Sequence, residues 1–241
     1  MAERNPLDQE AIDAMSRDPE VRELAAKLME KITGYRYSYN FSWLGRPIIQ
    51  YPPDIIALQE LIWSVRPDVI IETGVAHGGS IVFHASILEL LGGDRKVVGI
   101  DIDIRPHNRV EIEKHPLFHR IELIEGSSID ESIVAQVRDH ARGKRCLVIL
   151  DSNHTADHVA RELELYSPFV GAGSYLVVFD TVVEFLPDEF YADRPWSRGN
   201  NPWNSVQAFL ATNDRFEVDR ELEAKLVLTV APGGYLRCLR D

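Results

Sequence analysis

Acidic residues follow the apolar runs of this chain in a repeated way. Glu72-Thr73-Gly74, Asp101-Ile102-Asp103, Glu125-Gly126-Ser127, Asp151-Ser152-Asn153-His154 and Asp180-Thr181 each close such a run. One acid after a strand is ordinary surface, but five at equivalent places outline the edge of a site. The first lies in a glycine loop, Glu72-Thr73-Gly74-Val75-Ala76-His77-Gly78-Gly79-Ser80. Glycines let a backbone turn sharply and approach a ligand where a Cβ would collide. The dinucleotide pattern G-x-G-x-x-G is not met, because Ala76 takes the middle position. Asp101, 27 residues beyond Gly74, is placed to accept the two ribose hydroxyls of a nucleoside. Asp103 either assists it or is simply solvated. Ser127 and Ser128 are placed for a base edge, or are plain turn formers.

The remaining acids suit reaction rather than binding. Asp151 and Asp180 end the fourth and fifth core runs, and adjacent strands would let them share a hard cation with water and substrate oxygens. The alternative is that each caps a following turn or helix. A cation of this kind, or a positioned base, solves the difficulty of deprotonating an aliphatic hydroxyl near neutral pH. His154 stands three residues after Asp151, and imidazole titrates in the range a general base needs. His158, on the helix that follows, reads as structural and His84 as core, while His77 offers its backbone rather than its ring.

Strands must carry these residues, and the pattern supplies them. VIIETG, KVVGIDID, RIELIEG, CLVILDS and SYLVVFDT are near-continuous apolar runs, as expected of strands buried on both faces. Helical segments such as SIVFHASILELL, SIDESIVAQVRDHA and ADHVARELELYSPFV separate them, with Asp130 inside the first turn of the second. Strands alternating with helices imply right-handed βαβ units, and in open sheets of this kind ligands bind beyond the carboxyl ends of the strands. Residues 8–32 predict a single amphipathic helix ended by Gly34, and Asp54 predicts the N-cap of a helix through Trp63. Between them lies YRYSYNFSWLGRPIIQYPPD, too apolar for a linker and too broken for a helix, hence a cap. WNSVQAFLATN reads as a later helix and KLVLTVAPGGYLRCL as a terminal pair of strands. The chain divides into a helix and cap over residues 1–53 and an α/β domain over 54–241: a Rossmann-like three-layer sandwich, mostly parallel with an antiparallel C-terminal strand.

The net charge of −12, without a long Lys/Arg run, disfavours nucleic acid and anionic membranes as partners. No stretch approaches the roughly 20 apolar residues of a bilayer span. The N-terminus lacks a signal-peptide core, and Cys146 and Cys238 sit in apolar runs with no metal or disulfide spacing. A cytoplasmic protein is expected. The loop Asp193-Arg194-Pro195-Trp196-Ser197-Arg198-Gly199-Asn200-Asn201-Pro202-Trp203-Asn204 suits either sugar stacking or a contact within a homo-oligomer.

E-x-G-x-x-x-G-x-S, as spelled by Glu72, Gly74, Gly78 and Ser80, resembles the glycine loop of class I methyltransferases, which holds S-adenosylmethionine (SAM). FSWLGRPIIQYPPD, VIIETGVAHGGS, VVGIDIDIRPHNR, LVILDSNHTADHV, GSYLVVFDT and APGGYLRC together resemble the cephalosporin hydroxylase family, largely SAM-dependent O-methyltransferases of sugar and rhamnosyl type. The resemblance implies transfer of a methyl group to a hydroxyl of a sugar or glycosylated metabolite. It implies SAM held by Glu72, Gly74, Ala76, Gly78, Ser80, Asp101, Ser127, Ser128 and Gln50, with Arg46 near the cofactor. It further implies Mg²⁺ on Asp151 and Asp180, with His154 as base. Relatives often place a Glu directly before the second Asp, where this chain has Phe179; Glu184, Thr181, Asn153 or water then completes the ligand set, or no metal binds. An oxygenase would want two His and one carboxylate, and no second His stands at a strand end. A non-catalytic SAM- or sugar-binding protein is the remaining alternative.

Overall fold

The computed structural model describes residues 6–241. Two helices open it, α1 (Pro6–Arg17) and α2 (Pro19–Thr33), where the periodicity predicts one. The break is local chemistry: Asp18 accepts hydrogen bonds from the amides of Glu20 and Val21, and Pro19 starts a new helix but cannot continue an old one. The aromatic segment contains a hairpin, β1 (Phe41–Trp43) and β2 (Arg46–Ile48), turned by Leu44 and Gly45 at positive φ. It packs directly on the core helix Gly79–Leu91. Trp43 meets Phe83 edge-on at 4.9 Å and donates to Ser86 Oγ.

Helix α3 (Pro52–Val65) is capped by Tyr51, not Asp54. Asp54 is instead fully buried in the first turn, accepting from Thr229 Oγ1, Tyr235 Oη and the Val230 amide. The alternating part then runs β3 (Val69–Thr73), α4 (Gly79–Leu91), β4 (Lys96–Asp101), α5 (Pro106–Glu113), β5 (Ile121–Glu125), α6 (Glu131–Ala141), β6 (Cys146–Leu150), α7 (Ala156–Tyr166) and β7 (Tyr175–Val178). Asp130 is the N-cap of α6 rather than part of its first turn, its carboxylate accepting from the Ser132 amide. The chain ends with α8 (Pro202–Thr212), β8 (Phe216–Val218), α9 (Arg220–Lys225) and β9 (Tyr235–Cys238).

Seven strands form one sheet in the order β5-β4-β3-β6-β7-β9-β8. The first five are parallel, and β9 runs antiparallel between β7 and β8. The predicted terminal strand pair is half right. Its second strand is β9, but β9 pairs with β8, and residues 226–234 form no strand. The parallel strands alternate between two apolar layers. Ile70 packs with α3 and α4 on one face, and Val69 and Ile71 pack with α6 and α7 on the other. Both cysteines are buried and free. Strand order reverses between β3 and β6, so the crevice beyond their carboxyl ends is where such a sheet takes ligands. Among the described residues, no helix is long and apolar enough to cross a membrane.

Candidate active site

The glycine loop leaves β3 and enters α4 under tight restraint. Gly74 has φ +95°, and a Cβ there would sit 2.1 Å from the Asp151 carbonyl oxygen. The glycine therefore serves contact between neighbouring strands at the crevice. Gly79 plays the same part on the other side, where a Cβ would stand 2.1 Å from the Pro47 carbonyl of β2. Ala76 carries φ +46°, a left-handed conformation that costs a non-glycine residue of order 1 kcal/mol or more. Three side chains hold it there. Asp101 Oδ2 accepts from the amides of Val75 (2.8 Å) and Ala76 (3.1 Å). Asn108 donates to the Ala76 carbonyl at 3.0 Å, and Arg46 donates to the His77 carbonyl and to Asn108 Oδ1.

The loop opens on a cleft of about 450 Å³ beyond the strand ends. Of the predicted cofactor residues, Gln50, Gly74, Ala76, Ser80, Asp101, Ser127 and Ser128 line it. Gln50 is 4% exposed and its Oε1 has no hydrogen-bond partner, so a buried acceptor awaits a donor. Asp101 spends one oxygen on the loop amides, and its Oδ1 accepts from the Asp103 amide. Glu72 and Gly78 are not among the lining residues. Glu72 shares the sheet face of Ile70 and is buried against His84, 3.2 Å away on α4; Gly78 caps α4 and faces Ile112.

His158, which reads as structural in the sequence, and Ser152 also reach the cleft. His158 lies on its wall, Nε2 3.1 Å from Ser128 Oγ and 3.2 Å from Ser152 Oγ. Ser152 donates to the wholly buried Glu162 at 2.7 Å. The i,i+4 spacing of His158 and Glu162 on α7 is the one signal that could have marked them. Asn108, which holds the loop, had none.

At the junction of β6 and β7 with the cleft, Asp151, His154 and Asp180 converge. One donor atom from each lies within 4.8 Å of the others. His154 Nε2 is 3.1 Å from Asp180 Oδ2. Burial pushes the Asp151 carboxyl well up from its ordinary range, and the charges of Asp180, Glu72, Glu162 and Asp54 push the same way. A half-buried acid surrounded by acids is a place where a positive charge stabilises. The two carboxylates fit a hard divalent cation, with the imidazole beside them. Asp180 itself sits at φ +55°, held in the left-handed region as β7 ends.

Phe179 gives the physical reason that no acid precedes Asp180. Its ring is 2% exposed and packs edge-on at 6.3 Å from Tyr235 in the core. Glu184, expected as a further ligand, is engaged elsewhere. Its Oε2 accepts from the Gly199 amide and Asn201 Nδ2, so it anchors the long loop, and it lies outside the Asp151–His154–Asp180 group. The donors around Glu184 outweigh its burial and hold its carboxyl below the usual range. The loop itself divides. Trp196 reaches the site, edge-on to His154 at 4.7 Å, whereas Trp203 packs on Phe185 and Arg198 donates to the Glu184 and Leu186 carbonyls.

Residues 35–239 match the family described as Rhamnosyl O-methyltransferase/CmcI. A Rhamnosyl O-methyltransferase of Mycobacterium bovis is 32% identical over 192 residues, covering 76% of this chain and 72% of its own. That of Mycobacterium leprae is 29% identical over 201 residues, covering 81% and 82%. Among solved structures, apo CmcI superposes with a TM-score of 0.58 at 21% identity, covering 84% of this chain and 78% of its own. The Mg-SAM form of CmcI gives 0.56 at 20% identity, covering 83% and 77%. The chain belongs to the rhamnosyl O-methyltransferase/CmcI family.

Proposed function

We propose that the protein is a SAM-dependent O-methyltransferase whose acceptor is a hydroxyl of a sugar or sugar-bearing metabolite, and that it works with a divalent cation, Mg²⁺. The observation that carries this reading is the convergence of Asp151, His154 and Asp180 beside the glycine-loop cleft at the reversal of strand order. The names of the relatives support the acceptor class, rhamnosyl for the mycobacterial proteins.

Bound in the cleft, SAM supplies a methyl group on a sulfonium that is already a good leaving group, so the protein has mainly to place the acceptor and take its proton. Asp101, Gln50, Ser127 and Ser128 would hold the nucleoside, and the glycine loop would face its amino acid end. Asp151 and Asp180 would hold the cation, which supplies Lewis acidity toward the acceptor oxygen. His154 is better placed as base than as ligand. Mg²⁺ prefers oxygen donors, and Asp180 Oδ2 already orients the imidazole at 3.1 Å. In the transfer the acceptor hydroxyl yields its proton to His154 while its oxygen forms the new C–O bond. The C–S bond breaks, and S-adenosylhomocysteine (SAH) remains.

Calorimetric titration of SAM into EDTA-treated protein, with and without added Mg²⁺, tests the reading. It is joined to a methyl-transfer assay on rhamnosides. SAM binding with Mg²⁺-dependent transfer is the expected result. Absence of SAM binding overturns the proposal, and Mg²⁺-independent transfer removes the cation from it.

A further inference from the structure

Next to the catalytic groups, and sharing His154, Asp180 and Trp196 with the cofactor cleft, lies a second cavity of about 610 Å³. It runs outward beneath the N-terminal segment and the long loop, lined by aromatic rings that include Tyr37, Tyr191 and Trp196. This is the space left for an acceptor if SAM fills the first cleft. Two arginines sit on it, one from each covering segment. Arg36 lies 4.3 Å over the ring of Tyr39, and Arg194 lies 5.3 Å over the ring of Trp196. Among the described residues neither guanidinium appears in an ion pair or donates a side-chain hydrogen bond, whereas Arg198 of the same loop is consumed by carbonyls. Arg36 is also held at φ +53°, a conformation that glycine or asparagine would adopt at lower cost. A guanidinium stacked on an aromatic face is fixed in its plane and keeps its N–H edge free to donate. The same cavity carries the acids Asp180 and Glu189, and in a chain of net charge −12 the two arginines offset them locally.

We infer that the acceptor carries an anionic group, a carboxylate or a phosphate, at the end of the molecule away from the methylated hydroxyl. Arg36 and Arg194, which line the same cavity, bind that group. The aromatic lining takes the sugar or aglycone between them, and the anion stays clear of the acids Asp151 and Asp180. The inference rests on the methyltransferase reading for its assignment of this cavity to the acceptor. The cavity's preference for an anion, however, can be measured without turnover.

The probes are 4-nitrophenyl β-D-glucuronide and 4-nitrophenyl β-D-glucoside, which differ at one carboxylate. Each is titrated at low salt into the full-length protein with SAH and Mg²⁺ present. The expected result is about tenfold tighter binding of the glucuronide, the size of a charge-assisted contact. Arg36→Gln and Arg194→Gln should each erode that preference, and together abolish it, with glucoside and SAM affinities unchanged. Equal affinity for the two glycosides, including measurable binding of neither, overturns the inference, as does a preference that survives the double variant. Titration of SAM on the same samples separates the two failures. Loss of SAM binding sinks the methyltransferase reading, while the glycoside pair alone decides the anion site.

Discussion

Asp151 concentrates the electrostatic tension of the molecule. Desolvation raises its pKa, and the charges of Asp180, Glu72 and Glu162 push the same way. A cation bound there must displace whatever proton it carries. Mg²⁺ affinity is therefore expected to rise with pH, with proton release visible as a dependence of calorimetric heat on buffer ionisation enthalpy. Equal heats in all buffers would refute this. Asp151→Asn should reduce turnover by at least about 100-fold, since it removes one of the two carboxylates that would hold the cation, and leave SAM affinity within about twofold. Asn108→Ala leaves the Ala76 carbonyl and the Arg46 guanidinium short of a partner, at a cost of about 1–3 kcal/mol. SAM affinity should fall while the acceptor KM stays put, and a SAM Kd equal to the parent's would dismiss the clamp. The acids at the strand ends were readable because each follows a continuous apolar run. What a given acid faces was not readable. Glu72 points to the His84 side because Ile70, two residues earlier, does. Nothing in the sequence says which sheet face borders the cleft.

Among elements, the junction of α3 with the C-terminal segment carries an acid that sequence reasoning misplaced. A carboxylate two residues after Pro52 looks like a cap, but Thr229, Val230 and Tyr235, far along the chain, claim it. Burial raises the Asp54 pKa to about 6, although its three hydrogen bonds pull the other way. The folded protein thus holds this proton at pH values where the unfolded chain has lost it. Its contribution to stability is fully present below about pH 4 and lost as pH rises through about 6, a change of about 3 kcal/mol from this shift. Urea unfolding of EDTA-treated parent and Asp54→Asn across pH 4–8 should show the parent losing stability over that window more steeply. Parallel curves would reject the assignment. The long loop offers another test at this scale. Glu184→Ala frees Gly199 and Asn201, so the acceptor KM should rise several-fold with SAM affinity unchanged. An unaltered acceptor KM would mean the loop keeps its place without this anchor. The parallel strands and their helices were legible from period and punctuation. The N-terminal break was missed because Asp18-Pro19 interrupts hydrogen bonding without disturbing the apolar stripe on either side.

Across the whole molecule, β9 completes the sheet. It pairs with β7 on one edge and β8 on the other, and its Tyr235 hydroxyl donates to Asp54. Pairing of the final strand with Phe216–Val218 rather than with the nearer KLVLTV run is a long-range choice that local alternation cannot express. β9 also has a consequence for how the protein is made. Synthesis proceeds from the N-terminus, so β7 leaves the ribosome with its second edge unpaired and waits almost sixty residues for Tyr235. During that interval a buried, valine-rich edge is open to any passing strand. A nascent chain stalled short of residue 235 should accordingly bind holdase chaperones and resist release as a soluble fragment. One stalled with residue 241 clear of the exit tunnel should already be protease-resistant.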